Sequence, residues 1–313
     1  MLVDIPPQVS VRSVVLSNPT METRIARDGL YFGECPRWHD GRLWYSDFYD
    51  HAVHALAPDG RDERLFEVGG QPSGLGWLPD GRMLIVSMLD RRVLRREADG
   101  SLVTHADLSG IATFHCNDMV VDGSGRAYVG NFGFDYEQVI VEHGEAGLFG
   151  DPGPSPATLA RVDPDGAVTA AAGDLLFPNG TVLTPDGTTL IIAETMGLRL
   201  TAFDVAADGT LSGRRTWADL SAALVAPDGI CLDAEGAVWV ANAMAPTVVR
   251  VGEGGAILEE VTFSQLCFAC MLGGPEGRDL YGMTAPSSLS HEVRKADGRI
   301  EVATVAVPHA GRP

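Results

Sequence analysis

The chain has 313 residues, 45% of them apolar, 37 glycines and a mean hydropathy of +0.06, enough material to bury a core that is interrupted by many turns. A formal charge of −19 and a pI of about 4.7 argue against nucleic acid or an anionic membrane surface as partner, since both are bound through clustered Lys and Arg. The charges are scattered rather than blocked, as on a solvated surface.

Residues 1–20 read as a leader of unknown role ahead of Met21. The first thirty residues hold prolines and charges but no apolar core of a secretory signal, and no apolar run is long enough to span a bilayer. Five cysteines (Cys35, Cys116, Cys231, Cys267, Cys270) are odd in number and irregularly spaced, which is no disulfide framework. A reducing, cytoplasmic setting is expected, with Cys267-Phe-Ala-Cys270 serving as small buried apolar residues rather than a zinc or redox pair.

From residue 21 onward one unit is written six times: an anchor residue, a turn glycine seven or eight residues later, then an apolar strand. In chain order the copies run Glu34 to Gly41, Ser73 to Gly81, Asn117 to Gly125, Asn179 to Gly187, Asp228 to Gly236 and, more loosely, Cys270 to Gly277. Successive anchors lie 39, 44, 62, 49 and 42 residues apart, and periods near ~40 to 50 mark β-propellers. Short β-type runs follow the turns, as in Leu43-Trp-Tyr-Ser46, Leu190-Ile-Ile-Ala193 and Val238-Trp-Val-Ala241. Pro-Asp-Gly at 58–60, 79–81, 164–166 and 185–187 is hairpin punctuation, because Gly accepts positive φ and Asp bonds the nearby backbone.

One sheet of four short strands cannot hide both of its faces, and stacking six around an axis solves that problem. The prediction is an all-β, six-bladed β-propeller forming one domain over 21–313. The run Ile300–Val307 is expected to supply outer strands of the last blade, with an N-terminal segment pairing there to close the ring. The 62-residue interval is the longest, and its surplus around Phe134–Pro156 reads either as a binding loop or as a passive surface loop.

Radial repeats bring equivalent positions to one axis, so Glu34, Asn117, Asn179 and Asp228 converge there. Any single Asn or Asp before Gly is an ordinary turn former; four oxygen side chains at one repeat position form a donor set. Two carboxylates and two carboxamides carry −2, which suits a hard divalent cation: Ca²⁺ first, Mn²⁺ or Mg²⁺ next, Zn²⁺ less well. Four protein donors leave positions for water and substrate, the openness of a catalytic metal. Asp228 is the expected catalytic carboxylate, as general base or as nucleophile.

The motifs Gly33-Glu34-Cys-Pro36, Cys116-Asn117-Asp118, Pro178-Asn179-Gly180 and Pro227-Asp228-Gly-Ile-Cys-Leu-Asp233 together resemble the SMP-30/gluconolactonase/luciferin-regenerating-enzyme family, over nearly all of the chain from Glu22. The resemblance implies a six-bladed propeller in which the residues matching Glu34, Asn179 and Asp228 bind metal, often calcium, and the one matching Asn117 faces both metal and substrate. Diisopropyl fluorophosphatase shows a similar Glu, Asn, Asn, Asp set. The implied reaction is hydrolysis of a small-molecule lactone, with phosphotriester hydrolysis by the same donors, or a non-catalytic ligand-binding propeller, as alternatives.

Sugar-lactonase relatives carry Arg two residues before the Asn at 117, where this chain has His115, so a strict sugar-lactone preference is not expected. Asn131, Phe132 and Asp135 fall where the family has substrate contacts, and Phe132 with Phe134 points to a less polar substrate. Glu194 is expected to support the metal by way of Asn179.

Overall fold

Residues with neighbours on both faces read as unbroken apolar runs, and such runs become the inner strands here. The computed structural model describes residues 21–311 and contains six four-stranded antiparallel sheets; the segment 1–20 lies outside the described residues. Blade one runs from axis to rim as Gly33–His39, Arg42–Asp47, Ala52–Leu56 and Asp62–Glu67. The next four blades begin with Pro72–Trp77, Cys116–Val121, Pro178–Leu183 and Pro227–Leu232. These first strands touch one another in a closed ring, the first blade's against the sixth's included. Inner strands such as Val238–Asn242 are buried throughout, whereas the rim strand Val168–Leu175 has exposed residues on its outer face.

The sixth sheet combines both ends of the described chain. Leu266–Gly273, Asp279–Ala285 and Gly298–Thr304 come from the C-terminal side, and Thr23–Leu30 is its outermost strand. Thr23 pairs with Ala303 and Leu30 with Gly298, antiparallel, with two bulges between. The expected closure by an N-terminal segment is therefore present, but the C-terminal run supplies a third strand and not the rim.

The turns are as their residues require. Gly81 sits at φ 84°, and Asp80 Oδ1 accepts from the Arg82 backbone N–H at 3.0 Å. A different demand explains Gly74, Gly180 and Gly229, which follow the anchors Ser73, Asn179 and Asp228. A Cβ on Gly180 would lie 2.4 Å from the Asp228 carbonyl oxygen, and one on Gly229 would lie 2.6 Å from Ala269 Cα. Inner strands thus approach one another more closely than any side chain allows, which draws the adjacent anchors together at the axis.

Register corrects the sixth anchor. In blade five Pro227 pairs with Asn242 and, after a bulge, Ile230 with Val240. In blade six Leu266 pairs with Ala285 and Ala269 with Met283, across the same three-against-two step. Cys267 therefore occupies the position of Asp228, and Cys270 that of Cys231. The Cys270-to-Gly277 spacing misled because this blade's first hairpin is longer.

The surplus in the long interval is not a bare loop. It folds as helix α1, Tyr136–His143, followed by a 3₁₀ turn, Glu145–Leu148. Asp135 caps the helix, its Oδ1 accepting from Gln138 N at 3.0 Å.

Candidate metal centre and substrate cavity

Glu34, Asn117, Asn179 and Asp228 lie at the floor of one cavity of about 930 Å³ at the end of the propeller where the inner strands begin. All four are buried. Their side chains hold one another. Asn117 Nδ2 donates to Asn179 Oδ1 at 2.9 Å, and Ser73 Oγ donates to Asn117 Oδ1 at 3.1 Å. Asn179 Nδ2 donates to Thr195 Oγ1 at 3.2 Å, and that hydroxyl donates to the Pro227 carbonyl at 2.8 Å. Each carboxamide is thereby fixed in orientation with a lone pair still available on its oxygen.

The electrostatics fit a cation. Burial pushes the Glu34 carboxyl up to about 8, against the Cys35 N–H that it accepts at 2.9 Å; Asp118 pushes it further up and Arg37 offsets this in part. Asp228 is raised well above the usual carboxylate range by burial, then by Glu34 and Asp118. A divalent ion between two such carboxyls relieves both, and the donors are all oxygen, as a hard ion requires. Among the described residues no three Asp, Glu, His or Cys side chains gather tightly enough to hold an ion alone. A donor set at this floor would therefore draw on the carboxamides of Asn117 and Asn179 as well.

Beneath this floor is an ion pair that the repeat pattern does not disclose. Arg37 Nη2 donates to Asp118 Oδ1 at 2.7 Å and to the Met119 carbonyl at 2.6 Å, and both charged side chains are buried. Without Arg37 the hub would contain three uncompensated carboxylates. With it the count returns to the −2 that a divalent ion balances.

The expected substrate residues divide. His115, Phe132 and Asp135 line the cavity. The His115 ring stacks on Phe114 at 4.1 Å, and burial holds its pKa below the usual range despite the Asp135 carboxylate, so the imidazole faces the cavity neutral near pH 7. Asn131 does not line it: its Nδ2 donates to the Thr158 carbonyl at 2.9 Å and its Oδ1 accepts from Gly133 N at 3.1 Å, so both polar atoms serve the local turn. Asp135 is an exposed helix cap at the cavity wall. Glu194 does not support Asn179; it is buried among Arg199, Thr201, Arg214 and the Leu176 N–H. The neighbouring Thr195 takes that role, and its place after the second strand of blade four was the signal available for finding it.

Above the floor the walls are aromatic. Phe32, Phe48, Phe132, Phe177 and Phe268 pack with Met88 in one cluster. Phe132 and Phe177 stack at 4.5 Å, with Tyr136 of helix α1 edge-on to both. Across the mouth, Glu137 accepts from the N–H and hydroxyl of Ser290 at 2.9 and 2.6 Å, tying the third blade's insertion to a segment of the sixth.

Residues 32–286 match the SMP-30/Gluconolactonase/LRE-like region. The chain is 26% identical over 269 residues to pentonolactonase XacC of Haloferax volcanii, covering 84% of each. It is 23% identical over 274 residues to 6-deoxy-6-sulfogluconolactonase of Pseudomonas putida, covering 86% of this chain and 88% of that one. Its fold superposes on the calcium-binding protein regucalcin of Agrobacterium tumefaciens with TM-score 0.75 at 23% identity, over 94% of this chain and 97% of that one. The propeller, the anchors and the match across most of the sequence lead to one statement: the chain belongs to the SMP-30/gluconolactonase/LRE-like family.

Proposed function

We propose that this protein is a metal-dependent lactonase, with Glu34, Asn117, Asn179 and Asp228 holding a divalent cation, calcium by preference. The observation that carries the reading is the convergence of two carboxyls, both raised by burial, and two oriented carboxamides at the floor of an open cavity. The names of two relatives, a pentonolactonase and a sulfogluconolactonase, support the lactone as substrate. All five cysteines are free and buried, which fits a reducing, cytoplasmic setting.

A bound cation supplies Lewis-acid polarisation of the ester carbonyl. Asp228 takes the proton of the attacking water as general base; a new C–O bond forms, the ring C–O bond breaks, and the released alkoxide takes up a proton to give the hydroxy acid. Glu34 and Asn179 set the position of the ion, and Asn117, fixed by Ser73 and Asn179, donates from the substrate side. The floor is desolvated by the surrounding aromatic side chains, which strengthens each of these interactions.

The test is acid release from a lactone panel by protein stripped with chelator and then titrated with Ca²⁺, Mn²⁺ or Mg²⁺. Activity absent in chelator and restored by one equivalent of ion supports the reading. Undiminished turnover in chelator contradicts the metal dependence, and ion binding without turnover of any lactone leaves a binding propeller.

A further inference from the structure

We propose that the cavity selects lactones with a bulky apolar substituent, alkyl or aryl, over polyhydroxylated sugar lactones, because an aromatic vestibule stands above the donor floor and an apolar rim surrounds its mouth. This rests on the lactonase reading above and adds the substrate class to it.

Three observations carry the inference. The cavity, at about 930 Å³, is at the upper end of small-molecule sites, so the reacting ring leaves space for a large substituent. The surface that would surround that substituent is the cluster of Phe32, Phe48, Phe132, Phe177, Phe268 and Met88. At the mouth, Leu89, Val141, Phe149 and Met244 are exposed at 42, 74, 46 and 54% while lining the same cavity, an apolar rim in contact with water.

Four of the polar side chains on the walls are already engaged within the protein. Asp135 caps helix α1, Glu137 is held by Ser290, and the Tyr49 and Tyr136 hydroxyls both donate to the Ser288 carbonyl at 3.3 and 3.4 Å. Beside the aromatic cluster this leaves Gln71 and His115 to meet the hydroxyls of a sugar ring, while the further polar side chains, Gln138, Glu145, Ser287, Ser288 and Glu292, belong to the same segments as the exposed mouth. Hydroxyls buried without partners are disfavoured, whereas each buried methylene gains from leaving water.

The test compares kcat/KM for δ-valerolactone, δ-octalactone, δ-decalactone, 5-phenyl-δ-valerolactone and glucono-δ-lactone on the calcium-loaded enzyme. The expected result is a rise of about fourfold per added methylene, with the phenyl compound well above glucono-δ-lactone. In Phe177→Asn, where the backbone φ of 59° is one that Asn tolerates, the rise should flatten. The exposed pair Val141→Ser and Phe149→Ser, which carries little folding risk, should lower the rate for the longest chains only.

A flat series, or glucono-δ-lactone as the best substrate, overturns the inference. So does a slope unchanged in both variants. If every lactone is inert with calcium bound, the hydrolytic reading fails instead, and calorimetric affinities for the corresponding lactams decide the vestibule separately: affinity rising with chain length supports it and a flat series overturns it.

Discussion

The Asn117 carboxamide donates to the Asn179 oxygen across 2.9 Å although the two residues are 62 apart in the chain. That bond joins blades three and four at the axis, and Thr195 continues it to the carbonyl preceding Asp228. Two of the four proposed metal donors thus share one hydrogen-bond chain that ends on the backbone beside a third. Thr195→Val keeps the shape of the side chain and removes its hydroxyl. Metal affinity should fall by about 10- to 100-fold, as for other supports of metal ligands, with the melting temperature of the metal-free protein lowered only modestly. Calcium calorimetry and thermal unfolding check the two parts.

Arg37→Met tests the ion pair beneath the floor. It leaves Asp118 buried without a countercharge, and breaking such a pair costs about 3–5 kcal/mol. Urea unfolding should show most of this loss, and the double variant Arg37→Met with Asp118→Asn should recover the larger part. A single variant as stable as the parent would contradict the contribution of this pair to stability.

Calcium binding should release protons. The metal-free Glu34 carboxyl, with its pKa raised from 4.5 to about 8, costs the folded state stability that grows as pH climbs from the lower value to the higher. A bound cation removes that cost. The melting temperature of chelated protein should therefore fall between about pH 5 and pH 8 while that of calcium-loaded protein holds. Calorimetry at about pH 7 in buffers of different ionisation enthalpy should report proton release on binding.

His115→Arg places a guanidinium fork in the vestibule beside Phe114 and Phe132. Five donors in a fixed plane suit sugar hydroxyls, so relative kcat/KM for glucono-δ-lactone over δ-decalactone should rise by about tenfold. Unchanged ratios would show that this position does not reach the substrate.

Much of the architecture is readable in the sequence because a propeller repeats itself: five of six anchors, the turn glycines and the closure of the ring all follow from period and turn chemistry. The sixth anchor was displaced from Cys267 to Cys270 because its hairpin breaks the spacing used to find it. Helix α1 was hidden in a stretch that ends in a Gly- and Pro-rich run and offers only two helical turns of pattern. Contacts such as Arg37 with Asp118, 81 residues away, depend on the packing of blades and leave no local mark. Asn131 and Glu194 had the right chemistry near the right place, but a turn and an arginine pair respectively took up their polar atoms.

Four distant oxygen side chains are proposed to grip one ion whose free side faces the cavity. A crystal structure with saturating calcium tests it most directly. A single ion is expected at roughly 2.3–2.6 Å from oxygens of Glu34, Asn179 and Asp228, with Asn117 beside it and open positions toward Phe132 and Phe177. An ion bound elsewhere, or a hub without density under those conditions, would contradict it.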